Sequence, residues 1–196
     1  MKQNIFFIVG TGRCGTQMLR NILNSWHEIV ILPETHFIIN LYNKYQLKKI
    51  EVHQFLEVVE NTYGSNGEKW IKVILNKINK KYNSYKAGFT NYVNNENLKG
   101  KNGLFILAFF EYLYGKNFTF GDKTPYYGAN LDIILKIFPN AKIINLKRDG
   151  INTALSMSKH PAFIKYINGK IKFKDIGKYK LQNKEKYLLN KSPSIE

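Results

Sequence analysis

Cysteine is almost missing from this chain. Cys14 is the single one in 196 residues, so no intrachain disulfide can form and nothing argues for an oxidising compartment. Long apolar runs are missing as well. The stretches 5–9 and 104–110 fall far short of the roughly 20 residues a membrane helix needs, and no small-residue cleavage site follows the first. The chain therefore reads as cytoplasmic, with no transmembrane segment. Acidic residues are scarce, 14 against 30 Lys and Arg, for a formal charge of +16. That imbalance favours anionic partners, from nucleotides to glycans and acidic membranes, without choosing among them and without implying a specific nucleic acid. The lysines of 76–85 and 169–187 recur among Asn, Ile and Tyr so monotonously that they read equally well as solvated. No internal repeat is visible. The histidines show no metal-ligand spacing, so no metal is expected.

What is present is enough for one folded domain over 1–196. The composition is 44% hydrophobic and 14% aromatic, and the length suits a single core. Ile5 to Val9 is an unbroken apolar run ended by Gly10, the pattern of a buried parallel strand. Helical spacing follows at Met18, Leu19, Ile22 and Leu23, and a second short strand runs over 29–32 to Pro33. From Phe37 to Tyr114 three- and four-residue spacing predicts helices near 37–50, 53–62, 68–82 and 103–114, with loops at 64–67 and 94–97. This stretch, 37–118, reads as a helical insertion over the ligand edge of a sheet. Strand signal returns at 119–120 and 141–146, with helices over 129–138 and 151–159. A hairpin over 164–173 and a helix over 180–190 are weaker readings. Alternating strands and helices predict an α/β fold of three layers, a central parallel sheet with helices on both faces.

The chemistry concentrates in Gly10-Thr11-Gly12-Arg13-Cys14-Gly15-Thr16-Gln17. Glycines allow a tight turn that brings backbone N–H groups close to an anion, and the following helix offers its positive end. Arg13 adds a permanent fork of donors, and Thr16 a hydroxyl and an N–H. This is a P-loop-like phosphate site, although no Gly-Lys-Ser/Thr closes a Walker A motif. Three classes can be read from the same letters. Gly10, Gly12 and Gly15 satisfy the G-x-G-x-x-G of an NAD(P)-binding oxidoreductase, with Glu34 ending the next strand. Cys14 and Arg20 have the C-x5-R spacing of cysteine phosphatases, but Arg20 falls on the helix, where a snorkelling surface role suits it better. Arg-Cys-Gly-Thr resembles the 5′-phosphosulfate loop of sulfotransferases.

The second half of the chain decides among them. It reads Gly121-Asp122-Lys123-Thr124-Pro125, then Phe138-Pro139-Asn140-Ala141-Lys142, then Lys147-Arg148-Asp149-Gly150 and a helix carrying Ser156. With the loop, these segments resemble the sulfotransferase superfamily over 4–36 and 119–160, most closely its bacterial-type and tyrosylprotein-type members. Cys14, Gln17 and Gly150 depart from the commoner Ser, Thr/Ser and Pro. After Pro161 the family's further strand and closing segment are not recognisable, so the chain reads as a minimal member, a fragment, or a binding-competent inactive relative.

The resemblance implies a donor, 3′-phosphoadenosine 5′-phosphosulfate (PAPS), a product, 3′-phosphoadenosine 5′-phosphate (PAP), and in-line transfer to a hydroxyl without a metal. It implies that Gly12, Arg13, Cys14, Gly15, Thr16 and Gln17 hold the 5′-phosphosulfate and that Arg148 and Ser156 hold the 3′-phosphate. Lys123 would stabilise charge on the leaving phosphate with Arg13 beside it, Asp122 being its competing partner. Glu34, 21 positions after Arg13, corresponds to the base of tyrosylprotein-type enzymes. His36 is the rival base. The acceptor, a sugar, tyrosine, lipid or phenol hydroxyl, is not legible. Two other readings stay open: the NAD(P)-dependent oxidoreductase, and a non-catalytic binder of nucleotides or polyanions.

Overall fold

The structure is a computed structural model that describes residues 5–64, 67–98, 100–160 and 163–164. Four parallel strands form its sheet: β1 (Ile5–Gly10), β2 (Ile29–Pro33), and then, after small elements described below, Thr119–Lys123 and Lys142–Leu146. Numbered along the chain, these last two are β5 and β6, and the sheet order is β2-β5-β1-β6. The helix after β1, α1 (Thr16–Leu23), carries the chain to β2 and leaves a slot that β5 later fills. The predicted strand pattern is thus present, and β1 shows why. Its side chains are buried on both faces, Ile5, Phe7 and Val9 in a large cluster and Phe6 and Ile8 in a smaller one. Such a strand must lie in the middle of three layers. Leu19 and Leu23 of α1 cover the smaller cluster.

The other face carries the inserted helices α2 (Phe37–Tyr45), α3 (Val52–Glu60), α4 (Trp70–Lys77), α5 (Tyr85–Asn95) and α6 (Asn102–Tyr114). Phe37, Phe55, Phe89, Phe105, Phe109 and Phe110 meet there in edge-on, tilted and stacked ring pairs, within the same cluster as Phe7 and Phe120 of the sheet. Helix α6 is apolar almost all round because it lies inside this cluster, as a fully packed helix must. The helix α5 and a two-strand ladder of β3 (Lys49–Ile50) with β4 (Gly100–Lys101) were not predicted. Helices α7 (Leu131–Ile137) and α8 (Gly150–Ser158) match the expected ones. The hairpin expected over 164–173, Ile164 apart, and the helix over 180–190 lie outside the described residues. Among the described residues no helix is long and apolar enough to cross a membrane.

Registers place the strand ends together. Gly10 pairs with Leu146, while Lys123 lies between Ile8 and Pro33. The loop after β1, Glu34 after β2, Lys123 at the end of β5 and Arg148 after β6 therefore share one carboxyl edge, where open α/β sheets take their ligands.

Candidate active site

Backbone conformation shapes the loop between β1 and α1. Gly10 has φ 154°, and a Cβ there would stand 2.6 Å from the Leu146 carbonyl oxygen and 2.7 Å from Cys14 Sγ. Only glycine fits so close an approach. Gly15, at φ 100°, turns the chain into α1 and provides no side-chain cap. The first-turn N–H groups of α1 have no carbonyl within the helix to bond, and they face the loop with the positive end of the helix. Thr16 is buried, Gln17 bonds Asn21 at 2.9 Å, and Cys14 is buried beneath the turn. Arg20 does not stand free on the surface. It is half-buried and donates from Nε to the Ile31 carbonyl at 3.1 Å, which turns it to β2 rather than to the loop.

Arg13 takes φ 66°, a strained conformation for a residue with a side chain. Two distant residues meet it there. Arg148 Nη1 donates to the Arg13 carbonyl oxygen at 3.1 Å, and Arg13 Nε donates to Ser156 Oγ at 3.3 Å. Asp149 does not pair with Arg148. Its carboxylate caps α8 instead, accepting from the Asn152 backbone N–H at 2.8 Å. Among the described residues, no carboxylate forms an ion pair with Arg13 or Arg148. Two exposed arginines thus meet at one turn, an arrangement whose chemistry suits an anion. Beyond α8, Phe163 lies over Gly12, whose added Cβ would be 2.9 Å from the ring tip.

A second cluster occupies the ends of β2 and β5. Buried Lys123 donates to Glu34 Oε1 at 2.8 Å, and His36 Nε2 stands 3.3 Å from Glu34 Oε2. Burial pushes the Glu34 carboxyl up, but the His36 hydrogen bond and the Lys123 charge outweigh it and hold the group at about 2. His36, like Arg13, has a positive φ, 51°. The competing expectation for Lys123, a surface pair with Asp122, does not hold. Asp122 is fully buried and faces inward, where Thr35 and Thr124 donate to its two oxygens. Thr35, Thr124 and Tyr127 form a polar network that sequence reasoning missed. Its signal was the alternation of strand ends, which turns Asp122 and Thr124 away from Lys123.

A glycine-shaped turn at the carboxyl edge of a parallel sheet, with helices on both faces, defines an α/β protein of P-loop-like fold. The sequence pattern of the sulfotransferase family matches residues 6–190, and the chain belongs to that family. Sulfuryl transfer is accordingly its chemistry. The match continues well past Pro161, where sequence reading had lost the family features. No curated protein and no solved structure matches the chain. Among the described residues no His, Cys, Asp and Glu cluster could hold a metal ion.

Proposed function

We propose that this protein transfers a sulfuryl group from PAPS to a hydroxyl acceptor by in-line displacement. The observation that carries the reading is the meeting of Arg13, Arg148 and Ser156, which come from positions 135 and 143 residues apart yet converge on one turn. A donor that carries phosphate groups on both the 3′ and the 5′ carbon of one ribose needs cationic holds close together. An oxidoreductase built on Gly10, Gly12 and Gly15 would leave Arg148 and Ser156 without a task.

In this reading Gly12, Arg13, Cys14, Gly15, Thr16 and Gln17 hold the 5′-phosphosulfate, and Arg148 with Ser156 holds the 3′-phosphate. The acceptor oxygen bonds to sulfur as the bond from sulfur to the 5′-phosphate oxygen breaks, and PAP leaves. The acceptor proton passes to Glu34. Lys123 and Arg13 stabilise the charge that develops on the leaving phosphate, the kind of preorganised help that dominates such transfers. Glu34 at about 2 is a weak base while Lys123 grips it. A donor that draws Lys123 toward its phosphosulfate loosens that grip and raises the proton affinity of Glu34 at the moment it is needed. Residues 37–118 belong to the same domain and shape the acceptor side, for a sugar, tyrosine, lipid or phenol hydroxyl. The protein works in the cytoplasm.

Calorimetry with PAP tests this. Wild type binds, and Arg148→Ala binds about 10- to 100-fold more weakly, the worth of lost charge-assisted hydrogen bonds. No binding by wild type would end the PAPS reading, and equal binding by both proteins would remove Arg148 from the site.

A further inference from the structure

The pairing of Glu34 with Lys123 depends on side chains that face away from both. Thr35, Asp122 and Thr124 are all buried, each at 0% exposure, directly behind the pair. Their protons can be assigned one by one. The Thr35 backbone N–H donates to Thr124 Oγ1 at 3.1 Å, and the Thr124 hydroxyl donates to Asp122 Oδ1 at 2.6 Å. The Thr35 hydroxyl donates to Asp122 Oδ2 at 2.5 Å, so in its 2.6 Å contact with Tyr127 it is Tyr127 that donates. These are the directions in which Asp122 accepts on both oxygens as a carboxylate. Burial works against that charge and pushes the carboxyl up to about 7, with the two threonine hydroxyls pulling it down. Such a buried carboxylate costs stability, and its donors all belong to the two strand ends that carry Glu34 and Lys123.

We propose that Asp122 is a positioning residue, which locks the end of β2 to the end of β5 through Thr35 and Thr124 and so holds Glu34 against Lys123. Its effect on turnover rests on the sulfuryl-transfer reading; the positioning itself does not. Asp122 touches neither donor nor acceptor in this role. It sets the distance between two groups that do, and misplacement by about 1 Å can lower a rate by about 100-fold.

The test combines two readouts on four proteins: wild type, Asp122→Asn, Thr35→Val and Thr35→Ser. Asparagine keeps the size of Asp122 but has one acceptor oxygen, and valine keeps the shape of Thr35 without its hydroxyl. The first readout is reductive methylation with peptide mapping, which follows the reactivity of Lys123 alone. The second is PAP formation from PAPS with a panel of hydroxyl acceptors, alongside PAP affinity by calorimetry. Lys123 labels faster in Asp122→Asn and Thr35→Val than in wild type, and turnover falls by about 100-fold while PAP affinity is kept. Thr35→Ser, which restores the hydroxyl, returns both readouts to near wild type. Unchanged Lys123 labelling in Asp122→Asn and Thr35→Val overturns the proposal, as does a Thr35→Ser protein as damaged as Thr35→Val. If Asp122→Asn does not fold, the two Thr35 variants decide. If wild type neither binds PAP nor consumes PAPS while labelling follows the expected order, the PAPS reading fails and the positioning role stands.

Discussion

Glu34 is held by Lys123 and His36, and in the proposed reaction it also accepts a proton, so the two duties leave different marks. Glu34→Gln keeps the side chain's shape but removes the basic carboxylate. Turnover of PAPS falls by about 100- to 10,000-fold, while PAP affinity stays close to wild type. Preserved turnover at unchanged PAP affinity would pass the role to His36, 3.3 Å away. The same carboxylate leaves a mark on stability. Its folded-state value of about 2 lies below the ordinary 4.5, so the pairing stabilises the fold above that ordinary value. The contribution disappears as pH falls from 4.5 toward 2. Denaturant melts across that window have a steeper acid limb for wild type than for Glu34→Gln.

Among the elements, the turn between β1 and α1 tolerates least. Gly10→Ala sets a methyl group against the Leu146 carbonyl and Cys14 Sγ at a backbone angle that side chains rarely adopt. A loss of about 1–3 kcal/mol in urea denaturation is expected, together with weaker PAP binding. This turn was legible in the sequence because its glycines and the run Ile5 to Val9 are local signals. Strands β1, β2 and β6, with helices α7 and α8, were legible for the same reason. Helix α5 was not. Gly88, Asn91, Asn94 and Asn95 are poor helix formers, and the helix persists because Tyr85, Phe89 and Val93 bury one stripe in the shared cluster. The ladder of Lys49–Ile50 with Gly100–Lys101 joins residues 50 and 52 positions apart and leaves no local trace. The threonine network was half hidden: alternation sets Asp122 and Thr124 on one side, but which side turns inward is decided only once β5 has neighbours on both sides.

At the scale of the whole molecule, the inserted helices and the sheet meet in one apolar cluster. Phe109 is fully buried among Phe37, Phe55 and Phe89 in that cluster, and its neighbour Phe110 packs on Phe120 of β5. Phe109→Ala lowers stability by about 3–5 kcal/mol, and calorimetric unfolding stays a single transition at a lower temperature. Two separate transitions would make 37–118 an independent unit. Arg148 and Ser156 were legible as residue types, but their meeting at Arg13 required the sheet order that sets β1 between β5 and β6. Cys14 offers a last consequence. The chain's only sulfhydryl is buried at the turn between β1 and α1, so each molecule carries a stopwatch for the opening of that turn. Maleimide can reach it only when the turn lifts, with no engineered label. Saturating PAP should slow that clock, and an unchanged rate would mean the nucleotide settles elsewhere.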